Sequence, residues 1–487
     1  MSRKALFRKR SRPSQPRAVP AAFDEAAALY QSGRFTEALA LAEAAAPSSP
    51  QSAQLFNLAA ISAIRLGRRD LAEKYWRTVI QVQPGDAGTH YNLGILLSEL
   101  KRLNESEAVY RQAIALQPEY VEAHNNLGIL LSELKRFEEA EAAYCQAIAI
   151  QPGYAEAQLN LGLLLLKLGR LEEAWPLYEA RYHPKNKARV TSPPLLPFPQ
   201  WQGEPLVGKS ILVYPEQGFG DEIQFARYLP LLKARGASRV TLACRPPLWS
   251  LLQSIVGADK VVAFSEDLFM EASDFWVFPL SLPLRFHTTL DTIPAALPYL
   301  AADPELVEHW RPWLPPSAFR VGLAWKGADW HNNDANRSLP GLSALAPLWS
   351  VPEVGFVSLQ KGQGEEEALC PPENQPLLNL GAEIRDFADT AAIISQLELV
   401  ICVDTAIAHL AGALGKPCWV LLPAIGTDWR WLQERADSPW YPGVLRLFRQ
   451  EQAEDGWGST VARVAAALGE LREGAGRGAR FLRLPQS

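Results

Sequence analysis

The period of the apolar positions changes near residue 200. From about Ala21 to His183, apolar and small residues recur at helical spacing in blocks separated by short polar turns. Beyond that point, short apolar runs alternate with helical stretches. In the first region Pro50, Pro84, Pro118 and Pro152 stand 34 residues apart, and the segments they open align without gaps. Two copies read HYNLGILLSELKRLNESEAVYRQAIALQP and HNNLGILLSELKRFEEAEAAYCQAIAIQP, which predicts a duplicated helical hairpin. Small residues mark where paired helices approach closely: Gly94, Gly128 and Gly162 on the first helix, Ala72, Ala140 and Ala174 on the second, with Ser106 at that site in one copy. Trp76, Tyr110, Tyr144 and Tyr178 follow four positions later, and the proline ends the second helix. A weaker copy begins near Ala21, with Gly33 at its turn and Ala38 at its small site, so five hairpins are expected.

The period and the small-large pattern resemble the tetratricopeptide repeat. Stacked hairpins of that kind form a superhelix whose first helices line a concave face, a surface suited to protein partners. Asn92, Asn126 and Asn160 recur at one position of the first helix. Their amides could hydrogen-bond the backbone of an extended peptide, as the similar ladder of eukaryotic O-GlcNAc transferase does. Asparagine is also common at that position in such repeats, so a purely structural role stays open.

The stretch His183 to Trp201 has five prolines and no periodicity, and reads as a stiff connector. Strand-like runs follow at Ser210 to Tyr214, Arg239 to Ala243, Lys260 to Phe264 and Asp274 to Val277. The Pro-rich stretch Trp310 to Pro316 separates them from Arg320 to Trp325, Val354 to Leu359, Leu377 to Leu380, Leu399 to Asp404 and Cys418 to Leu422. Strands alternating with helices predict two parallel sheets, each covered on both faces. The expected organisation is a basic tail over 1–20, a repeat domain over 21–183, a linker over 184–207, Rossmann-like domains over 208–316 and 317–470, and a tail over 471–487.

Ligands of parallel sheets sit beyond the carboxyl ends of the strands, and four strand-end loops carry candidate chemistry. In Glu216 to Arg227, Gly218 and Gly220 let a ligand approach the backbone, and Asp221 opens the next helix. Its carboxylate could take a proton from a hydroxyl or simply cap the helix. In Ala324 to Leu339, Lys326 and Arg337 suit diphosphate oxygens, while Trp325 and Trp330 could stack on a sugar or base. Lys361 ends the following strand. In Leu399 to Pro417 a buried strand ends at Asp404, and a helix starting near Thr405 and Ala406 offers amides and a positive dipole to a phosphate, with His409 one turn in.

GlyAsp at 220 to 221 and ValAspThrAlaIleAlaHisLeuAlaGlyAlaLeuGlyLysPro at 403 to 417 resemble the ADP-heptose lipopolysaccharide heptosyltransferases. With AspPheAlaAspThrAla at 386 to 391 and AspTrpArgTrpLeu at 428 to 432, the whole second half is similar to bacterial tetratricopeptide-fused glycosyltransferases, some of which modify flagellin. The resemblance implies an α-solenoid followed by a two-domain GT-B fold. It also implies Asp221 as general base, with Lys326, Arg337, Lys361, Asp404, Thr405, Ala406 and His409 on the donor side, and a nucleotide-sugar as substrate rather than cofactor. Arg337 would take the place of a phosphate-binding lysine, in a loop longer and richer in asparagine than the heptosyltransferase one.

Composition narrows the alternatives without choosing the sugar. At 487 residues with 48% hydrophobic and 21% charged residues, a soluble chain of two or three domains is expected. A net charge of -5 argues against dedicated nucleic-acid binding, although Arg3, Lys4, Arg8, Lys9, Arg10 and Arg12 crowd one end. No apolar run reaches the length of a membrane span. Five scattered cysteines suit a reducing cytoplasm and suggest no zinc site. There is no Asp-x-Asp, so a metal on the diphosphate is not expected; the resemblance, with Asp221 as base, implies a single displacement with inversion. Two other readings remain open: a scaffold whose transferase half is inactive, and a transferase whose acceptor is a glycolipid or oligosaccharide.

Overall fold

The computed structural model describes residues 19–475 apart from 187, 188, 190, 266–270 and 318. The basic stretch Arg3 to Arg12 and the residues after 475 lie outside the described residues.

Ten helices form five hairpins: α1 (Val19–Gln31) with α2 (Phe35–Ala45), α3 (Ala53–Arg65) with α4 (Arg69–Val82), α5 (Ala87–Glu99) with α6 (Leu103–Leu116), α7 (Val121–Glu133) with α8 (Phe137–Ile150), and α9 (Ala155–Lys167) with α10 (Leu171–Tyr178). The repeated small residues have a steric cause. A Cβ on Gly94 would fall 2.5 Å from the Tyr110 ring, and one on Gly128 would fall 2.6 Å from that of Tyr144. Where serine replaces alanine it stays satisfied, because Ser106 donates to the Gly94 carbonyl at 2.7 Å. Each tight turn needs one left-handed residue, filled by Gly33, Gly67 and Gly169 and, in the duplicated copies, by Lys101 and Lys135.

Compactness divides the chain at Asn160/Leu161, inside α9. The connector was expected later, at 184–207. The physical reason for the difference is that α10 and the turn Glu179–Tyr182 are buried against residues far downstream: Trp175 donates to the Thr288 carbonyl at 2.8 Å, and Arg181 pairs with Glu216. The Pro-rich stretch is itself partly woven into the second unit, since Trp201 is fully buried and Gln200 bridges to Trp276.

The second unit holds two all-parallel sheets. The first contains β1 (Ser210–Val213), β2 (Arg239–Cys244), β3 (Lys260–Ala263) and β4 (Phe275–Val277) in the order β3-β2-β1-β4. The second contains β5 (Phe319–Ala324), β6 (Val354–Ser358), β7 (Leu378–Asn379), β8 (Leu399–Val403), β9 (Cys418–Leu422) and β10 (Leu445–Arg449) in the order β10-β9-β8-β5-β6-β7. Both orders reverse direction beside the first strand, and the second sheet has the full order of a doubly wound nucleotide-binding fold. β10 was not foreseen: its pattern LRLFR mixes charged and apolar residues because it is an edge strand. The last helix, Gly458–Ala475, runs past the tail boundary expected at 471, because Val461, Val464 and Leu468 anchor it in the core of the second sheet. No helix among the described residues is long and apolar enough to cross a membrane.

Candidate functional site

The two strand-order reversals fall between β1 and β4 and between β5 and β8, so the loops after β1, β5 and β8 are where a ligand crevice is expected. The loop after β1 leads into α11 (Phe219–Phe225), with Gly218 at the N-cap and Asp221 three residues in. One Asp221 oxygen accepts the Gly218 N–H at 2.7 Å, the N3-to-N-cap half of a capping box, and the other is paired with the Arg430 guanidinium. Asp221 is thus both a helix cap and an ion-pair partner. Burial raises its pKa above the ordinary carboxylate range, while the Arg430 charge and the Gly218 N–H pull it back.

Arg430 organises the centre. It also donates to Asp428 at 2.9 and 3.0 Å and to the Gln224 side chain at 2.7 Å, and it lies 4.4 Å over the Trp429 ring. Burial opposes its charge, but the Asp428 and Asp221 carboxylates outweigh that and raise its pKa above the ordinary guanidinium range. Its role was not foreseen: the run AspTrpArgTrpLeu was noticed as a motif, but Asp221 lies 209 residues upstream and nothing local links the two.

On the second sheet, β8 is followed directly by Asp404, which is half-buried. Burial and the nearby Asp428 push its pKa up to about 6, against the pull of Trp431, Arg337 and Arg430. Thr405 caps the Ala406–Ala413 helix by accepting the Ile407 N–H at 3.3 Å. Arg337 reaches back to this turn, donating to the Asp404 carbonyl at 3.2 Å and to Asp334 at 3.3 Å. Its guanidinium lies flat on Gly327, where a Cβ would come within 2.5 Å of it. Lys326 pairs with Glu367 at 3.1 Å, and its backbone is held by the buried Gln360. Asn333 ties this loop to the carbonyls of Ile425 and Gly426 at 3.3 and 2.9 Å, just before Asp428.

The structure therefore brings Asp221, Arg337, Asp404, Thr405 and Ala406 around the Asp428–Arg430 pair. Three expectations differ from what is seen. His409 was expected to face the donor but is buried: Nδ1 bonds the Tyr441 hydroxyl at 3.0 Å, the ring stacks on Trp431 at 5.4 Å, and a Cβ on Gly220 would meet it at 2.7 Å. Burial and Arg430 lower its pKa to about 3, so it is a neutral spacer between α11 and the Ala406–Ala413 helix. Lys361 turns toward the edge of the sheet, where it bonds Glu365 at 3.3 Å and the Gly381 carbonyl, away from Arg337. Trp325 cannot stack on a ligand because it is wholly buried in the core of the second sheet, whereas Trp330 is exposed.

In the repeats, two of the three asparagines are engaged. Asn126 donates to the Tyr91 hydroxyl at 3.2 Å and Asn160 to the Asn125 side chain at 2.9 Å, while Asn92 is half-buried. One further titratable group was not foreseen. Glu222, next to Asp221, is buried and its pKa rises to about 7, although it accepts from the backbone and side chain of Arg245 at 3.0 and 2.8 Å.

Tetratricopeptide repeat models match residues 86–152, and 4–53 with 125–187. The model described as glycosyltransferase family 9 (heptosyltransferase) matches residues 360–421, which span β8, Asp404 and the Ala406–Ala413 helix. The chain thus carries tetratricopeptide repeats and a stretch similar to glycosyltransferase family 9. Protein FlbA of Caulobacter vibrioides is 31% identical over 327 residues, 60% of this chain and 52% of FlbA. The chain spans about half the length of that curated relative. Among solved structures, MamA is similar at 20% identity and a TM-score of 0.31 over 32% of this chain and 91% of MamA. Pseudomonas aeruginosa PilF is similar at 21% identity and a TM-score of 0.31 over 33% of this chain and 73% of that one.

Proposed function

We propose that the chain is a GT-B glycosyltransferase that moves a sugar from a nucleotide-sugar to a hydroxyl, with inversion, on a protein recruited by the repeats. The observation that carries this reading is the meeting of Asp221, at the reversal of the first sheet, with Arg430 after β9 of the second, close to Arg337, Asp404 and Thr405 at that sheet's own reversal. Asp221 removes the acceptor proton, and the freed oxygen attacks the anomeric carbon as the nucleotide leaves. Burial raises the Asp221 pKa and so its basicity, while the Arg430 charge opposes the rise. Charge building on the departing diphosphate is met by Arg337, Lys326 and the amides at Thr405 and Ala406. The match to glycosyltransferase family 9 supports the donor side, and the repeats support a protein acceptor.

Titration calorimetry of the full chain against a panel of nucleotide-sugars tests the donor half; silence with every donor overturns it. Intact mass of proteins co-expressed with the chain tests the acceptor half, because a modified partner reports both its own identity and the sugar mass. Modification of glycolipid alone would sink the protein-acceptor reading.

A further inference from the structure

The fifth hairpin carries a buried ion pair that neither the repeats nor the donor site uses. Arg181 follows α10 and is almost wholly buried, as is Glu216 in the loop after β1. Arg181 grips both Glu216 oxygens, at 2.7 and 3.1 Å, and its remaining donors reach Ser281 at 2.8 Å and Glu179 at 2.6 Å. Its guanidinium is sandwiched by Tyr178 and Tyr182, at 4.7 and 4.9 Å from their rings. A fully satisfied, bidentate pair of this kind fixes geometry more than it adds stability.

What it fixes is the strained loop in front of Asp221. Gln217, next to Glu216, has a left-handed backbone at φ 58, unusual for a residue with a side chain, and donates to the Tyr178 hydroxyl at 3.3 Å. Gly218, next again, is the residue whose N–H holds Asp221. The other side of the Asp221 pair leads to the same hairpin, because Trp429, beside Arg430, packs edge-on against Trp175 at 5.6 Å and Tyr178 at 6.1 Å.

We propose that the fifth hairpin is a positioning element of the transferase site, in which Arg181 clamps Glu216 and so holds the loop that presents Asp221 to Arg430. Arg181 is a positioning residue and touches no substrate. The inference rests on the reading of Asp221 as the group that acts on the acceptor.

Hydrogen exchange on the full chain tests it without needing a known substrate. Changing both partners together, Arg181→Gln with Glu216→Gln, avoids leaving a buried charge unpaired. Amides in peptides covering 214–222 then exchange at least about tenfold faster, while those of β1, β2 and the Ala406–Ala413 helix keep their protection. Arg181→Lys, which keeps the charge but loses the fork, falls between the two. Unchanged exchange over 214–222 in the double variant overturns the proposal, and so does acceleration spread evenly over the first sheet, which would make the pair a stabiliser only. With any donor the chain turns over, kcat drops roughly 10- to 100-fold at unchanged donor KM. A rise in KM with kcat intact would also count against positioning. If the parent chain turns over no donor, the transferase reading fails, and the exchange result still decides whether Arg181 sets the loop.

Discussion

Asp221 has no spare freedom: one oxygen caps α11 and the other faces Arg430. Asp221→Asn keeps the shape and the cap but removes the proton acceptor, so donor affinity should persist while kcat falls by roughly 10²–10⁴. Retention of kcat in steady-state assays would remove Asp221 from the chemistry. Gly220 is equally constrained, by packing instead of charge. A methyl there meets the buried His409 ring at 2.7 Å, and the ring cannot swing away because Tyr441 and Trp431 hold it. Gly220→Ala should therefore destabilise the fold by about 1–3 kcal/mol in denaturant unfolding. Combined with His409→Ala, the penalty should shrink; strict additivity of the two changes would show that they do not meet.

At the scale of elements, the end of β8 joins a carboxylate to a helix N-terminus that suits phosphate. Asp404 has its pKa raised to about 6, so its protonated form is favoured in the fold. The sign follows: the stability this group contributes is present at low pH and is lost as pH rises through about 6. A diphosphate beside it is repelled over the same interval, so donor affinity should fall between pH 5 and 7.5, by about tenfold per unit that binding shifts the pKa. Asp404→Asn should flatten that dependence in calorimetric titrations; an unaltered slope would assign it to another group. These elements were largely legible in the sequence. The glycines under Tyr110 and Tyr144 announce their hairpins because each small residue faces a large one at fixed spacing, and nine of the ten strands among the described residues fall on the strand-like runs of the sequence. β10 escaped because an edge strand tolerates charge. Arg430, Arg181 and Glu216 escaped for a different reason: their partners are chosen by tertiary folding across 209 and 35 residues. His409 was misread because a strand-end histidine looks exposed in one dimension, and only the approach of Gly220 shows that α11 covers it.

At the scale of the whole molecule, compactness puts a boundary inside α9, whereas the prolines put one after His183. Two deletions separate these views. Removing residues 1–152 takes four hairpins and leaves the fifth, so the Asp221 loop keeps Arg181 and Trp429 keeps Trp175. That chain should melt cooperatively and retain donor turnover while losing modification of a protein acceptor. Removing residues 1–183 also takes Arg181 and leaves Glu216 buried without its cation, a cost of about 3–5 kcal/mol. It further strips Trp175 from Trp429 and from the Thr288 carbonyl. The second deletion should therefore lower the melting temperature and abolish donor turnover along with acceptor modification. If both truncated chains melted alike and turned over donor alike, the fifth hairpin would belong with the recruiting repeats, and the transferase would begin where the prolines do.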